Sequence, residues 1–309
     1  MLTVSLILVG ALAAQEPVKM PAGDGFVGKW NVKITDATDT FASGGFQIAK
    51  KDGGLTAGVV WRWGSYVPAK SVEVKDGTLV MTREEEKGKP ETFEARLESD
   101  LLKGTVTYSD GKVAHFEGKR APLLLSRKAP VWGAPVTLFD GKTLDGWKLR
   151  DPKSKNGWAV VNGELAVVDP KDNSDLVSER TFQDMKVHIE FNAPLHSNSG
   201  VYLRGRYEIQ IETEDPASGH ATQKCGAVYS RMAPSASAAK PAGEWNTYDL
   251  TLVGRQVTVV LNGQTIVQGV IEGITGGALS PWEDEPGPLM LQGDHGKVRF
   301  RNVVVTPAQ

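Results

Sequence analysis

Apolar and polar residues alternate with a period of two through most of this chain, in short runs bounded by turn residues. Between residues 26 and 120 the runs are punctuated by Asp52-Gly53-Gly54, Asp76-Gly77 and Asp110-Gly111, sequences suited to tight antiparallel turns. The pattern predicts about eight strands, over 28–34, 45–50, 55–63, 71–75, 78–83, 92–98, 101–108 and 112–118. None of these runs has a helical period, so an antiparallel meander is expected, and closing it into a small barrel would hide its edges. Trp61 and Trp63 share parity and are expected to fill the barrel core.

Residues 121–135 contain Pro122, Pro130 and Pro135 without a period and read as the linker between a domain at 26–120 and another at 136–309. Strand patterning then resumes. Asn162-Gly163 and Asn262-Gly263 are type I′ hairpin signals, alternation covers 182–191, 247–253, 256–261 and 265–268, and a last strand is expected at 298–306. No segment has the period of an amphipathic helix of three turns. The chain is therefore expected to be all-β, with about a dozen strands of its second part in two facing sheets, a jelly-roll sandwich.

One stretch, 198–214, combines strand periodicity with chemistry: N-S-G-V-Y-L-R-G-R-Y-E-I-Q-I-E-T-E. It reads as a hairpin turning at Gly205. Alternate parity puts Val201, Leu203, Tyr207, Ile209 and Ile211 on a core face, and Tyr202, Arg204, Glu208, Gln210 and Glu212 on a wet, polar face suited to a sugar.

The 309 residues are 23% charged and 40% hydrophobic with a formal net charge of -2, values of an ordinary globular chain. Without a run of Lys or Arg there is no electrostatic footprint for nucleic acid or an anionic membrane surface. Residues 2–14 form an apolar run ending Ala11-Leu12-Ala13-Ala14, the composition of a signal-peptide core and cleavage site, though without a basic leader. That run is too short to span a bilayer, so a periplasmic or secreted protein is expected. The lone Cys225 excludes an internal disulfide framework and reads as a small buried hydrophobe.

Two resemblances follow from the residues. Gly28-Lys29-Trp30 and the late Arg120 are similar to the opening and closing signals of lipocalin-like barrels, a short match that implies no ligand. Over 136–307, five ordered blocks resemble the 3-keto-disaccharide hydrolase family: L-F-D-G-K-T-L-D-G-W, S-N-S-G-V-Y-L-R with Y-E-I-Q-I, C-G-A-V-Y, G-E-W-N-T-Y-D-L-T-L-V-G with L-N-G, and L-Q-G-D-H-G-K-V-R-F-R-N-V. The resemblance implies an exported, concanavalin-like jelly roll that cleaves glycosidic bonds of sugars oxidised to a ketone at C3. The chain departs from the family pattern after the Glu-x-Gln strand, where Glu212 and the insertion-like 214–220 leave the acidic partner open. The acidic block 276–287 has no counterpart and is expected as a solvated loop, with the rim of a cleft as the alternative.

A C3 ketone acidifies the proton on C2, and the resulting enolate can expel the C1 oxygen, after which water adds. This requires a base, a group that stabilises the enolate, and an acid. Under the resemblance Glu208 is the candidate base, His295 the proton-transfer residue, Arg204 the enolate partner and Gln210 the group that orients substrate. Tyr202, Tyr229, Arg299 and Arg301 are further substrate-binding candidates. Glu208, Glu212 and His295 could together hold a divalent metal ion, although no short-spaced metal motif occurs. Two other readings stand beside this one: a retaining jelly-roll glycosidase using Glu208 and Glu212, weakened by Gln210 at the place of a central Asp, and a carbohydrate-binding module without turnover.

Overall fold

The computed structural model describes residues 23–84, 90–124, 129–213 and 219–309. The apolar run at 2–14, part of the proline-containing connection and most of the insertion at 214–220 lie outside the described residues.

The chain is all-β, and only two single 3-10 turns interrupt the described strands. The first nine strands are β1 (Gly28–Ile34), β2 (Ser43–Lys51), β3 (Gly54–Trp61), β4 (Val67–Pro68), β5 (Ser71–Lys75), β6 (Thr78–Arg83), β7 (Glu91–Glu98), β8 (Leu101–Thr107) and β9 (Val113–Arg120). They form one antiparallel sheet in the order β4-β3-β2-β1-β9-β8-β7-β6-β5, curled so that β5 returns against β3. Inside lies an aromatic cluster of Phe46, Trp61, Phe93 and Phe116, with Trp30 buried nearby. Arg120 stacks over the Trp30 ring at 4.0 Å and donates to the Val27 and Gly25 carbonyls, which ties the last strand to the first.

Trp63 departs from the expected core position. β3 ends at Trp61, and Arg62 adopts φ 54°, a conformation unusual for a non-glycine residue that breaks the strand alternation. Trp61 is consequently buried, whereas Trp63 is 61% exposed.

The second part is a sandwich. One sheet joins β12 (Trp158–Val161), β13 (Glu164–Val167), β22 (Arg299–Pro307), β15 (Met185–Asn192), β18 (Asn246–Val253), β19 (Gln256–Leu261) and β20 (Gln264–Val270), with β10 (Val136–Thr137) also pairing β22. The facing sheet has the order β11 (Trp147–Leu149), β14 (Leu176–Phe182), β21 (Gly287–Leu291), β16 (Asn198–Leu203) and β17 (Tyr207–Glu212). Inward residues of both sheets make one core, to which Tyr207, Ile209 and Ile211 contribute from β17 and Phe191, Leu250 and Phe300 from across. The expected strand over 182–191 is two strands, because Gln183 and Asp184 turn the chain from one sheet to the other.

Barrel and sandwich are tightly joined by the block expected as a solvated loop. Ile274 and Ala278 pack on Val60 of the barrel, and Glu283 is fully buried between Arg255 and Tyr207 of the sandwich and Asn31 of the barrel. Within the block Asp284 and Glu285 stay exposed, whereas Glu283 is enclosed because its partners lie on both sides of this junction.

Candidate active site

The β16–β17 hairpin turns on Arg204 and Gly205, both at positive φ, and its register sets Tyr202 opposite Glu208 and Gly200 opposite Gln210. The face expected to be wet is not. Glu208 is 4% and Gln210 2% exposed, because the Ala227 and Tyr229 backbone bonds alongside β17 and the Gly276-Gly277 segment covers the sheet.

A cavity of about 310 Å³ remains on this outer face, near the lower end of the roughly 300–1,000 Å³ range of small-molecule sites. Neighbouring strand ends converge on it. Arg150 follows β11, Asp175 precedes β14, Asn198 opens β16, and Gln292, Asp294 and His295 follow β21, while Glu208 and Gln210 project from β17. Tyr202 and Tyr229 complete its sandwich wall, and Phe41 and Trp63 reach it from the barrel.

Burial raises the Glu208 carboxyl to about 8, even though the Tyr202 hydroxyl, 2.8 Å from Oε2, and the charge of His295 favour the ionised form. Its backbone N–H donates to Thr275 Oγ1 at 3.0 Å, fixing the strand under the side chain. Gly200, diagonal to Glu208 on the neighbouring strand, leaves room for this side chain, since a Cβ there would stand 2.6 Å from Glu208 Oε1. Asp175, 6% exposed, is likewise raised by burial, against the opposing influence of Arg150. Arg150 Nη1 lies 3.1 Å from Asp175 Oδ2 and donates to the Gly277 carbonyl at 2.7 Å, with its guanidinium 3.8 Å from the Phe41 ring centroid. The hydrogen bond from His295 Nδ1 to Asp294 raises the imidazole, which leaves Nε2 for other contacts. The loop holding this pair is pressed against the core: a Cβ on Gly293 would stand 2.6 Å from the Trp158 indole.

Two acceptors in this wall, Gln210 Oε1 and Gln292 Oε1, are buried without a hydrogen-bond partner among the described residues. Orphaned buried acceptors are costly and mark where a ligand's hydroxyl donors would be satisfied.

The site thus gathers Glu208, His295, Gln210, Tyr202 and Tyr229 from the residues singled out in the sequence. It does not gather the arginines. Arg204 belongs to the hairpin turn, where its guanidinium donates to the Gly254 and Glu283 carbonyls and lies over the Tyr207 ring. Arg299 and Arg301 lie on the other sheet, bound to Glu164 and Glu190 and grouped around Trp245. Their shared parity aims them away from the cavity.

Glu212 lines a different, more apolar cavity beside Phe191 and Cys225, so the set Glu208, Glu212 and His295 is not assembled around one point. Among the described residues no three His, Cys, Asp or Glu side chains form a group that could hold a metal ion. Arg150, Asp175 and Gln292 were missed because they flank strands far apart in sequence. Only the topology brings them together.

The chain matches the model of the 3-keto-alpha-glucoside-1,2-lyase-like domain over residues 134–306. No curated protein sequence matches it. Among solved structures it is similar to a candidate glycosyl hydrolase from Parabacteroides distasonis, at 25% identity and a TM-score of 0.49 over 59% of this chain and 93% of that one. A second candidate glycosyl hydrolase from the same organism is 23% identical, with a TM-score of 0.47 over 57% of this chain and all of the other. With the matched span exceeding half of the chain and containing Arg150, Asp175, Glu208 and His295, this protein is a carbohydrate-active enzyme of the 3-keto-alpha-glucoside-1,2-lyase-like family.

Proposed function

We propose that the protein cleaves glycosidic bonds of 3-keto-glycosides by elimination and hydration. The observation that carries this reading is Glu208, a buried carboxyl held near pH 8 at the wall of a polar cavity. A base whose pKa lies close to working pH is most effective, because it is both available and strong enough. Glu208 takes the proton from C2, and the electron pair of the broken C–H bond delocalises onto the ketone oxygen as an enolate. When the enolate collapses, that pair forms the C1–C2 double bond and the C1–O bond breaks, with His295 giving its proton to the departing oxygen. Water then adds across the double bond, oxygen to C1 and hydrogen to C2, and the sum is hydrolysis.

Arg150 supplies fixed positive charge near the developing enolate, and the orphaned acceptors of Gln210 and Gln292 take up sugar hydroxyls. Glu212 lines a different cavity, which argues against a retaining glycosidase that pairs Glu208 with Glu212. Glu208→Gln tests the assignment. Turnover should fall by about 10²- to 10⁴-fold with binding retained, whereas a change in affinity alone would favour a binding module.

The apolar run at 2–14 supports export to the periplasm or beyond, with maturation near Gln15. Amino-terminal sequencing of extracellular or periplasmic material should begin there, and finding Met1 would contradict cleavage.

A further inference from the structure

The family match begins at residue 134, yet two side chains lining the cavity, Phe41 and Trp63, come from the barrel that precedes it. Trp63 is the most conspicuous of the barrel's exposed aromatics. Its ring meets Phe41 edge to face with centroids 5.6 Å apart, and Phe41 in turn lies under the buried guanidinium of Arg150. The Arg62 guanidinium lies 4.4 Å from the Trp63 ring centroid and is held by an ion pair with Asp39. The turn carrying the indole is anchored to the sandwich by Gly277 N–H, which donates to the Arg62 carbonyl at 2.8 Å, and the loop carrying Phe41 is anchored by Thr40, which accepts from Arg150. Nearby, Ser65 and Tyr66 bond to Tyr229 and Ser230. A large apolar surface that could have joined the barrel core is instead fixed at the mouth of a polar cavity.

We propose that Trp63, backed by Phe41, is the leaving-group subsite of this enzyme, a platform against which the ring attached through the C1 oxygen stacks. The inference rests on the proposed reaction, and deepens it by dividing the cavity. Glu208, Asp175 and Gln210 are buried at its inner end, so the keto sugar, whose C2 must reach Glu208, occupies that end. His295, the donor to the departing oxygen, has a half-exposed side chain, and Trp63 is more exposed still, which puts the leaving group toward the open end. The ligand chemistry required is a ring with a flat apolar face. A pyranose, through its C–H face, and an aromatic aglycone both supply it.

The test uses the full chain and three 3-keto-glucosides, whose leaving groups are glucose, a phenol and methanol. Trp63→Ala should lower kcat/KM about 3- to 10-fold more for the two ring-bearing leaving groups than for methanol, and Trp63→Phe should restore most of that selectivity. If only the phenol or only the glucose substrate shows the selective loss, the subsite takes that ring type. Val113→Ala, at another exposed apolar position of the barrel, should leave the ratio unchanged. An equal loss for all three substrates, or none, would overturn the subsite. Calorimetric binding of an unoxidised disaccharide and a phenyl glucoside separates this inference from the reaction it rests on. Binding weakened by Trp63→Ala in a protein that turns over no ketone would leave the platform standing and remove the reaction, whereas unchanged binding there would remove both.

Discussion

Tyr202 and Glu208 are directly opposed across the β16–β17 ladder, and the tyrosine hydroxyl lies 2.8 Å from the carboxylate. Because the register fixes this contact, it acts as a stable influence on the ionisation of Glu208. The hydrogen bond favours the charged carboxylate and opposes the larger effect of burial.

Removing it has a defined sign. Tyr202→Phe withdraws an influence that lowers the Glu208 pKa, so the pKa should rise further above about 8. The rising limb of kcat/KM against pH, which reports the deprotonated base, should move to higher pH by about 1 unit. A limb that stays in place would show that Glu208 is not the titrating base.

The arginines separate by role. Arg150→Ala should reduce kcat/KM by about 10²- to 10³-fold, the scale of losing one preorganised electrostatic group. Arg204→Ala removes donors to the Gly254 and Glu283 carbonyls, and should lower stability by about 1–3 kcal/mol while kcat per folded molecule is unchanged. Thermal unfolding together with active-site-normalised kinetics distinguishes the two, and the opposite pattern would return Arg204 to the chemistry.

The junction rests on a buried charge. Burial would raise the Glu283 carboxyl, but Arg255, with help from Tyr207 and Asn31, holds it below its ordinary value. Glu283→Ala strands Arg255 in the interior and should cost about 3–5 kcal/mol. In the wild type the stability due to this depressed pKa is present above the unfolded value of 4.5 and declines as pH falls through the lower folded value. Denaturant titration of both proteins should therefore show their difference shrinking in acid, and a pH-independent difference would contradict the ionised pair.

Much of the architecture was legible because β alternation is local. The strands over 28–34, 71–75, 78–83 and 256–261 have the expected bounds, and the turn at Arg204-Gly205 sits where the hairpin pattern put it. Parity also separated Glu208 and Gln210 from their core neighbours, but it could not say what covers the outer face. That face is closed by segments distant in sequence, and so the carboxyl expected in water is buried. Parity failed for Trp63 because a positive φ at Arg62 ended the strand before it. The candidate arginines show the same limit, since sharing a strand face does not reveal which cavity, if any, that face meets.

The most direct measurement is cleavage of a 3-keto-disaccharide and its unoxidised parent, side by side in heavy water, with the released sugars examined by NMR and mass spectrometry. The keto substrate should be cleaved with deuterium at C2 of its product and the parent should show negligible turnover, because only the ketone makes the C2 proton removable by Glu208. Equal cleavage of both substrates with the C2 hydrogen retained would contradict this reaction.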